Sequence, residues 1–115
     1  MKQPPAVTII TGELDLQASR TLGQRLSEEV GAGVTSPDVI LDLSSVSFID
    51  SSALGVIMQA DQRLSRQGRG LAVVAPEGTA VADLVRITHV DKSLRVARTR
   101  AEAEAALDES SATRS

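Results

Sequence analysis

Asp50-Ser51-Ser52 is the stretch of this chain with the most chemistry in it. A carboxylate followed by two hydroxyls can cap a helix, accept a phosphoryl group or supply a hydrolytic nucleophile. Capping needs a side-chain oxygen that accepts from the unpaired amides of a first helical turn, and Asp50 and Ser51 both suit it. One cap needs one such residue, and three in a row exceed that. Gly55 follows in the opening turns, where Gly costs about 1 kcal/mol relative to Ala. Its missing side chain removes bulk beside the serines and suits close approach by another molecule. Tight packing against a neighbouring loop is the alternative. At about 100° per residue, Leu54 and Met58 fall at the edge of the helical stripe that Ala53 belongs to. Exposed there, they suit a protein contact. A wide core face that includes them is the alternative.

The remaining candidates carry less. Glu13 and Asp15 are a carboxylate pair in a turn, where capping the next helix accounts for them. Thr88-His89-Val90-Asp91 holds the only His, and with no Gly-x-Ser-x-Gly elbow a catalytic triad is not expected. His89 reads as a loop residue after a helix. Gly78-Thr79 lacks the Gly-Lys-Ser/Thr that completes a phosphate loop and reads as a helix start. Asp38 and Asp42 read as solvated strand ends. Arg95, Arg98 and Arg100 read as solvated surface, with an acidic partner patch as the alternative.

Composition removes whole classes of function. The chain has 115 residues, no Cys and one His, so thiolate sites, disulfides and a multi-His metal centre cannot form within it. Phe48 is the only aromatic and the net charge is −3, which argues against nucleic acid as a partner. No apolar run approaches the roughly 20 residues of a membrane helix, so no membrane association is expected. Met1-Lys2-Gln3-Pro4-Pro5 has no apolar signal segment, and a cytoplasmic location is expected. With 42% apolar and 23% charged residues, one globular domain with an aliphatic core is expected.

The elements that must position Asp50-Ser51-Ser52 follow a strand–helix alternation. Val7–Thr11 is a β-branched run ending at Gly12, and Asp38–Leu43 and Leu71–Ala75 are further strands, with a short fourth at Leu94–Ala97. The spacing of Ala18, Leu22, Leu26 and Val30 predicts a helix over Leu16–Val30. Ala53, Ile57, Ala60 and Leu64 predict one over Ser51–Gln67, with others over Thr79–Ile87 and Arg100–Leu107. Ser44-Ser45-Val46-Ser47 reads as a polar connection, and the end of the chain as a polar tail. Such alternation implies an α/β domain of mostly parallel strands with right-handed crossovers.

Gly12-Glu13-Leu14-Asp15, Val39-Ile40-Leu41-Asp42-Leu43 and Val46-Ser47-Phe48-Ile49-Asp50-Ser51-Ser52-Ala53-Leu54-Gly55-Val56-Ile57 together resemble the STAS domain, closest to the bacterial anti-sigma-factor antagonists. The resemblance implies a mixed, mostly parallel sheet of four to five strands with about four helices largely on one side. It places the domain at 6–108 and a polar tail at 109–115. It also implies a partner switch and no enzyme activity. The unphosphorylated antagonist binds an anti-sigma factor that is a serine kinase of the histidine-kinase-like ATPase fold, and this frees the sigma factor. The kinase then phosphorylates Ser51, with Ser52 as the alternative, and a PP2C-type phosphatase resets the protein. Asp15, Asp50 and Ser52 form the phosphosite environment. Gly12, Leu14, Asp15, Ser51, Ser52, Ala53, Leu54, Gly55 and Met58 form the partner surface. No cofactor or metal is implied. A STAS subunit of another bacterial complex, such as a lipid-transport ABC system, is the alternative role. Two features depart from the family pattern. Ala53 stands where Gly is common, and Pro4-Pro5 precede the first strand where relatives have one more, unless Lys2-Gln3 is its remnant.

Overall fold

A computed structural model describes residues 3–114. Four strands, β1 (Ala6–Leu14), β2 (Val39–Ile49), β3 (Leu71–Val74) and β4 (Arg95–Ala97), lie in the order β1-β2-β3-β4. All three pairings are parallel, so the sheet is parallel and not mixed among the described residues. Gln3, Pro4 and Pro5 are not in a strand, and Lys2 lies outside the described residues. Helices α1 (Leu16–Gly31), α2 (Ser51–Arg66) and α3 (Ala80–Thr88) connect successive neighbours, and α4 (Arg100–Arg114) follows β4. Crossovers of one hand between adjacent strands put their helices on one face. Accordingly Leu22, Leu26, Ala53, Ile57, Leu64, Val81 and Val85 share a core with Val39, Leu41, Leu71 and Val73. Strand alternation turns Ile40, Ala72 and Val74 to the other face, where Ala103 and Leu107 of α4 cover them.

α4 runs to Arg114 and does not give way to a tail after Leu107. Ala103 and Leu107 anchor its first turns. The following stretch contains neither Gly nor Pro, so nothing stops propagation.

β2 is longer than its apolar run suggested. It takes up two extra residues against β1, since Ile9 pairs with Asp42 but Thr11 with Ser45, and Gly12 with Val46 but Glu13 with Phe48. These bulges space the buried residues Leu43, Val46 and Ile49 three apart, a period that matches no regular strand. Asp42 supports the irregular backbone. Its Oδ1 accepts from the Ser44 amide at 3.0 Å and the Ser44 hydroxyl at 2.5 Å, and its Oδ2 accepts from Arg100 Nε at 2.9 Å. Asp42 is thus buried, not a solvated strand end, and it ties α4 to the sheet. Burial pushes its carboxyl up, but the bonds from Ser44 and Arg100 outweigh that and hold it below its ordinary value.

Asp38 is buried too, with Oδ1 accepting from the Gly70 amide at 2.8 Å. Beside it Arg69 is buried and donates to the carbonyls of Pro37 and Glu29 and to Gln67 Oε1. Gln67 in turn donates to the Val30 carbonyl at 2.9 Å. Cationic and amide donors so satisfy carbonyls at the α1 C-terminus, where the helix dipole favours them. Arg95, Arg98 and Arg100 each meet an acid, respectively Asp61, Glu77 with Glu102, and Asp42.

Leu41 is fully buried between β1 and β3 under the three-helix face. Leu41→Ala is expected to lower stability by about 2–5 kcal/mol, measured by urea unfolding. A depressed carboxyl contributes stability that is complete above the ordinary aspartate pKa of about 3.9 and disappears as pH falls through the lower, folded-state value. Acid unfolding followed by circular dichroism should therefore show a loss below about pH 4 that is smaller in Asp42→Asn.

Candidate functional site

The register between β1 and β2 brings Leu14 level with Ile49 at the carboxyl ends of the strands. The Asp50 amide donates to the Leu14 carbonyl at 3.1 Å, which locks the two strand ends together. Each strand turns directly into a helix. Asp15 caps α1, its Oδ1 accepting from the Ala18 amide at 2.9 Å. Asp50 caps α2, its Oδ1 accepting from the Ala53 amide at 3.1 Å. Two aspartate-capped helix openings therefore stand side by side. The outside of strand carboxyl ends is where open α/β sheets place their sites.

The two serines differ. Ser52 is half-buried, and its hydroxyl donates to Asp50 Oδ1 at 2.5 Å. Ser51 is exposed, and among the described residues its hydroxyl makes no side-chain hydrogen bond. The Ser52 hydroxyl first, and the Ala53 amide second, hold the Asp50 carboxyl below its ordinary value. Asp50 is thus a fixed anion directly before an open hydroxyl.

Of the residues expected at the partner surface, Gly12, Asp15 and Ser51 are exposed, and Ser52, Gly55 and Met58 are partly so. Gly12 takes φ +86°, a left-handed conformation that favours Gly, and its carbonyl accepts from Ser47 Oγ at 3.4 Å. Leu14, Ala53 and Leu54 require correction. They are 3%, 0% and 4% exposed and belong to the core. The apolar stripe of α2 is wide because both α1 and the sheet pack against it, so Leu54 turns inward. Gly55 has open space where a side chain would go, so tight packing does not explain it. Glu13 is exposed on β1, and of the two carboxylates it is Asp15 that acts as the cap. His89 ends α3 in a left-handed conformation, φ 59°, as a loop residue outside this site. Leu16 and Phe48, which were not expected at the partner surface, are 67% and 47% exposed and adjoin the two capped openings. The signal for them was available, since Leu16 follows a cap directly and Phe48 is the only aromatic.

No group of three or more metal-ligating side chains is placed to hold an ion among the described residues. No helix among them is long and apolar enough to cross a membrane.

The STAS domain family model matches residues 2–103. The chain belongs to the STAS domain family. Among solved structures, this STAS domain is similar to an anti-sigma factor antagonist from Mycobacterium paratuberculosis, with 27% identity, a TM-score of 0.79, and 89% of this chain and 84% of that one covered. It is also similar to a putative anti-sigma factor antagonist from Thermotoga maritima, with 25% identity, a TM-score of 0.73, and coverage of 89% and 87%. The anti-sigma factor antagonist SpoIIAA in its unphosphorylated form shares the fold, at 18% identity, a TM-score of 0.66, and coverage of 95% and 92%.

Because a methyl at Gly55 meets nothing, Gly55→Ala is expected to raise the stability of this STAS domain by about 0.5–1 kcal/mol, read from the urea midpoint. A lower midpoint would show that the glycine serves the fold and not the surface.

Proposed function

We propose that this STAS domain, residues 6–108, is an anti-sigma-factor antagonist that works in the cytoplasm by partner switching. Unphosphorylated, it binds an anti-sigma factor that is also a serine kinase of the histidine-kinase-like ATPase fold, and the sigma factor is released. Phosphorylation of Ser51 ends the interaction, and a PP2C-type phosphatase restores it. The chain is a binding module and a substrate, not an enzyme.

The observation that carries this reading is the difference between the paired serines. Ser51 offers an exposed, unengaged hydroxyl at the opening of α2, while that of Ser52 is held by Asp50. The exposed Gly12, Asp15 and Leu16 and the partly exposed Gly55 and Met58 give a docking partner polar, bare and apolar surface around that hydroxyl. Likeness to an anti-sigma factor antagonist at 27% identity, and to a second structure described as a putative one at 25%, supports the class of partner.

The switch follows from electrostatics. A phosphoserine carries about −1.5 to −2 charges at neutral pH. At position 51 it lies at a helix N-terminus, which tolerates an anion, so the fold is little disturbed. Asp50 immediately before it and Asp15 on the neighbouring cap make the local field strongly negative. A partner seated over this surface meets added charge and bulk. Like-charge contact at an interface costs several kcal/mol, and each 1.4 kcal/mol is tenfold in affinity.

With the cognate kinase and ATP, mass spectrometry is expected to place one phosphate on Ser51, absent in Ser51→Ala and retained in Ser52→Ala. Ser51→Asp is expected to weaken kinase binding by about tenfold or more in calorimetry. Gly55→Ala is expected to weaken it as well while leaving the fold intact. A phosphate found on Ser52 alone, or unchanged binding by Ser51→Asp, would overturn the proposal.

A further inference from the structure

Leu16 and Phe48 are large apolar side chains that the fold leaves exposed close to Ser51. The bond from the Asp50 amide to the Leu14 carbonyl, at 3.1 Å, fixes where they stand. Leu16 lies two residues past Leu14, Phe48 two residues before Asp50, and Ser51 directly after it. A chain reaches at most about 3.6 Å per residue, so each lies within about 7 Å of one of the two joined strand ends. Local structure keeps both side chains out of the core. Alternation turns Phe48 away from Ile49, which is buried under the three helices. On the other face, the cluster that α4 covers holds Ile40, Ala72 and Val74 but not Phe48. Leu16 opens α1, and the inward stripe of that helix starts after it, with Ala18 and Ser19.

The carboxylates beside them are already engaged within the chain. That of Asp15 accepts from the Ala18 amide, and that of Asp50 from the Ala53 amide and the Ser52 hydroxyl. What stands open next to the Ser51 hydroxyl is therefore an aromatic ring and an isobutyl group. Single exposed apolar residues are ordinary on a protein surface. Val34 and Ile87 are as exposed as Leu16, but they lie past the end of α1 and near the end of α3, at the opposite end of the sheet. Leu16 and Phe48 differ in adjoining the proposed phosphoacceptor.

We propose that Leu16 and Phe48 are the anchors by which the anti-sigma factor kinase holds this domain, each seated in an apolar concavity of that partner. The inference rests on the partner switch proposed for Ser51 and supplies the chemistry of its contact. Interfaces are enriched in aromatic residues, and a few large anchors carry most of the binding while the contacts around them exclude water. Glu13, the register partner of Phe48, is exposed and charged and stays at the solvated rim. Because the anchors carry no charge, the unmodified complex tolerates salt. Because Ser51 adjoins them, its hydroxyl is enclosed in the same dehydrated contact. A hydroxyl fits there, whereas a phosphate would have to shed its water.

The partner for the test is the kinase that phosphorylates Ser51. Phe48→Ser and Leu16→Ser are each expected to weaken its binding by about tenfold or more in calorimetry, with circular dichroism and the urea midpoint little changed. Val34→Ser and Ile87→Ser are expected to leave the affinity within about twofold. Between about 50 and 500 mM salt the affinity of the unmodified chain is expected to change by less than about threefold. Hydroxyl-radical footprinting of the unmodified complex is expected to protect Phe48 and Leu16, and it decides the matter should either variant fail to fold. A kinase that binds and is weakened by Ser51→Asp, yet is indifferent to Phe48→Ser or Leu16→Ser, overturns this inference alone. So does a complex that weakens steeply with salt, or one that leaves both side chains open to the radical. If no kinase phosphorylates Ser51, the partner switch fails and the inference fails with it.

Discussion

The parallel register of β1 against β2 is the constraint on which the site depends. It sets Leu14 beside Ile49, and one hydrogen bond from the Asp50 amide to the Leu14 carbonyl closes the two strand ends together. A parallel pair with a helical crossover starts both following helices from the same end of the sheet. The openings of α1 and α2 are then neighbours without any long-range contact dedicated to the purpose. Each aspartate stabilises its own helix locally, and together they define the polarity of the surface. The bulges of β2 belong to the same device, because they absorb the difference in length between the strands and deliver Ile49 to the level of Leu14.

How much of this was legible depended on how closely each local pattern kept to its period. The helices were plain because Ala18, Leu22, Leu26 and Val30, and Ala53, Ile57, Ala60 and Leu64, repeat at helical spacing. The second half of β2 was hidden, since a bulged strand buries every third residue and reads as neither strand nor helix. The caps at Asp15 and Asp50 were visible as residue types, as was an exposed hydroxyl beside them. The inward turn of Leu54 was not, because the width of an apolar face is set by how many elements pack on it.

The buried polar residues were invisible for a different reason. Asp38, Asp42 and Arg69 are charged, and charged residues are exposed by default unless partnered. Their partners lie far away in sequence: Gly70 for Asp38, Arg100 for Asp42, and Glu29 and Pro37 for Arg69. The bonds of Asp38 and Arg69 seal the end of the molecule opposite the site, where α1 and α2 finish and β2 and β3 begin. Rigidity there matters to the site, since both helices that open at it are held at their far ends through Arg69 and Gln67.

The placement of Ser51 and Ser52 has a consequence for any charge-driven switch at this position. The Ser52 hydroxyl is bound to the oxygen of Asp50 that also receives the Ala53 amide. A phosphate on Ser52 would break the first bond and set a second anion against the cap, so the modification would be felt by α2 itself. A phosphate on Ser51 leaves both bonds in place and adds charge only to the outer surface. The proposed switch therefore acts on the partner's binding free energy while the helix start, and with it the sheet register beneath, stays as it was. A module that must release its partner and later bind it again has to survive the modification folded, and of the two hydroxyls that of Ser51 is the one whose modification meets this condition.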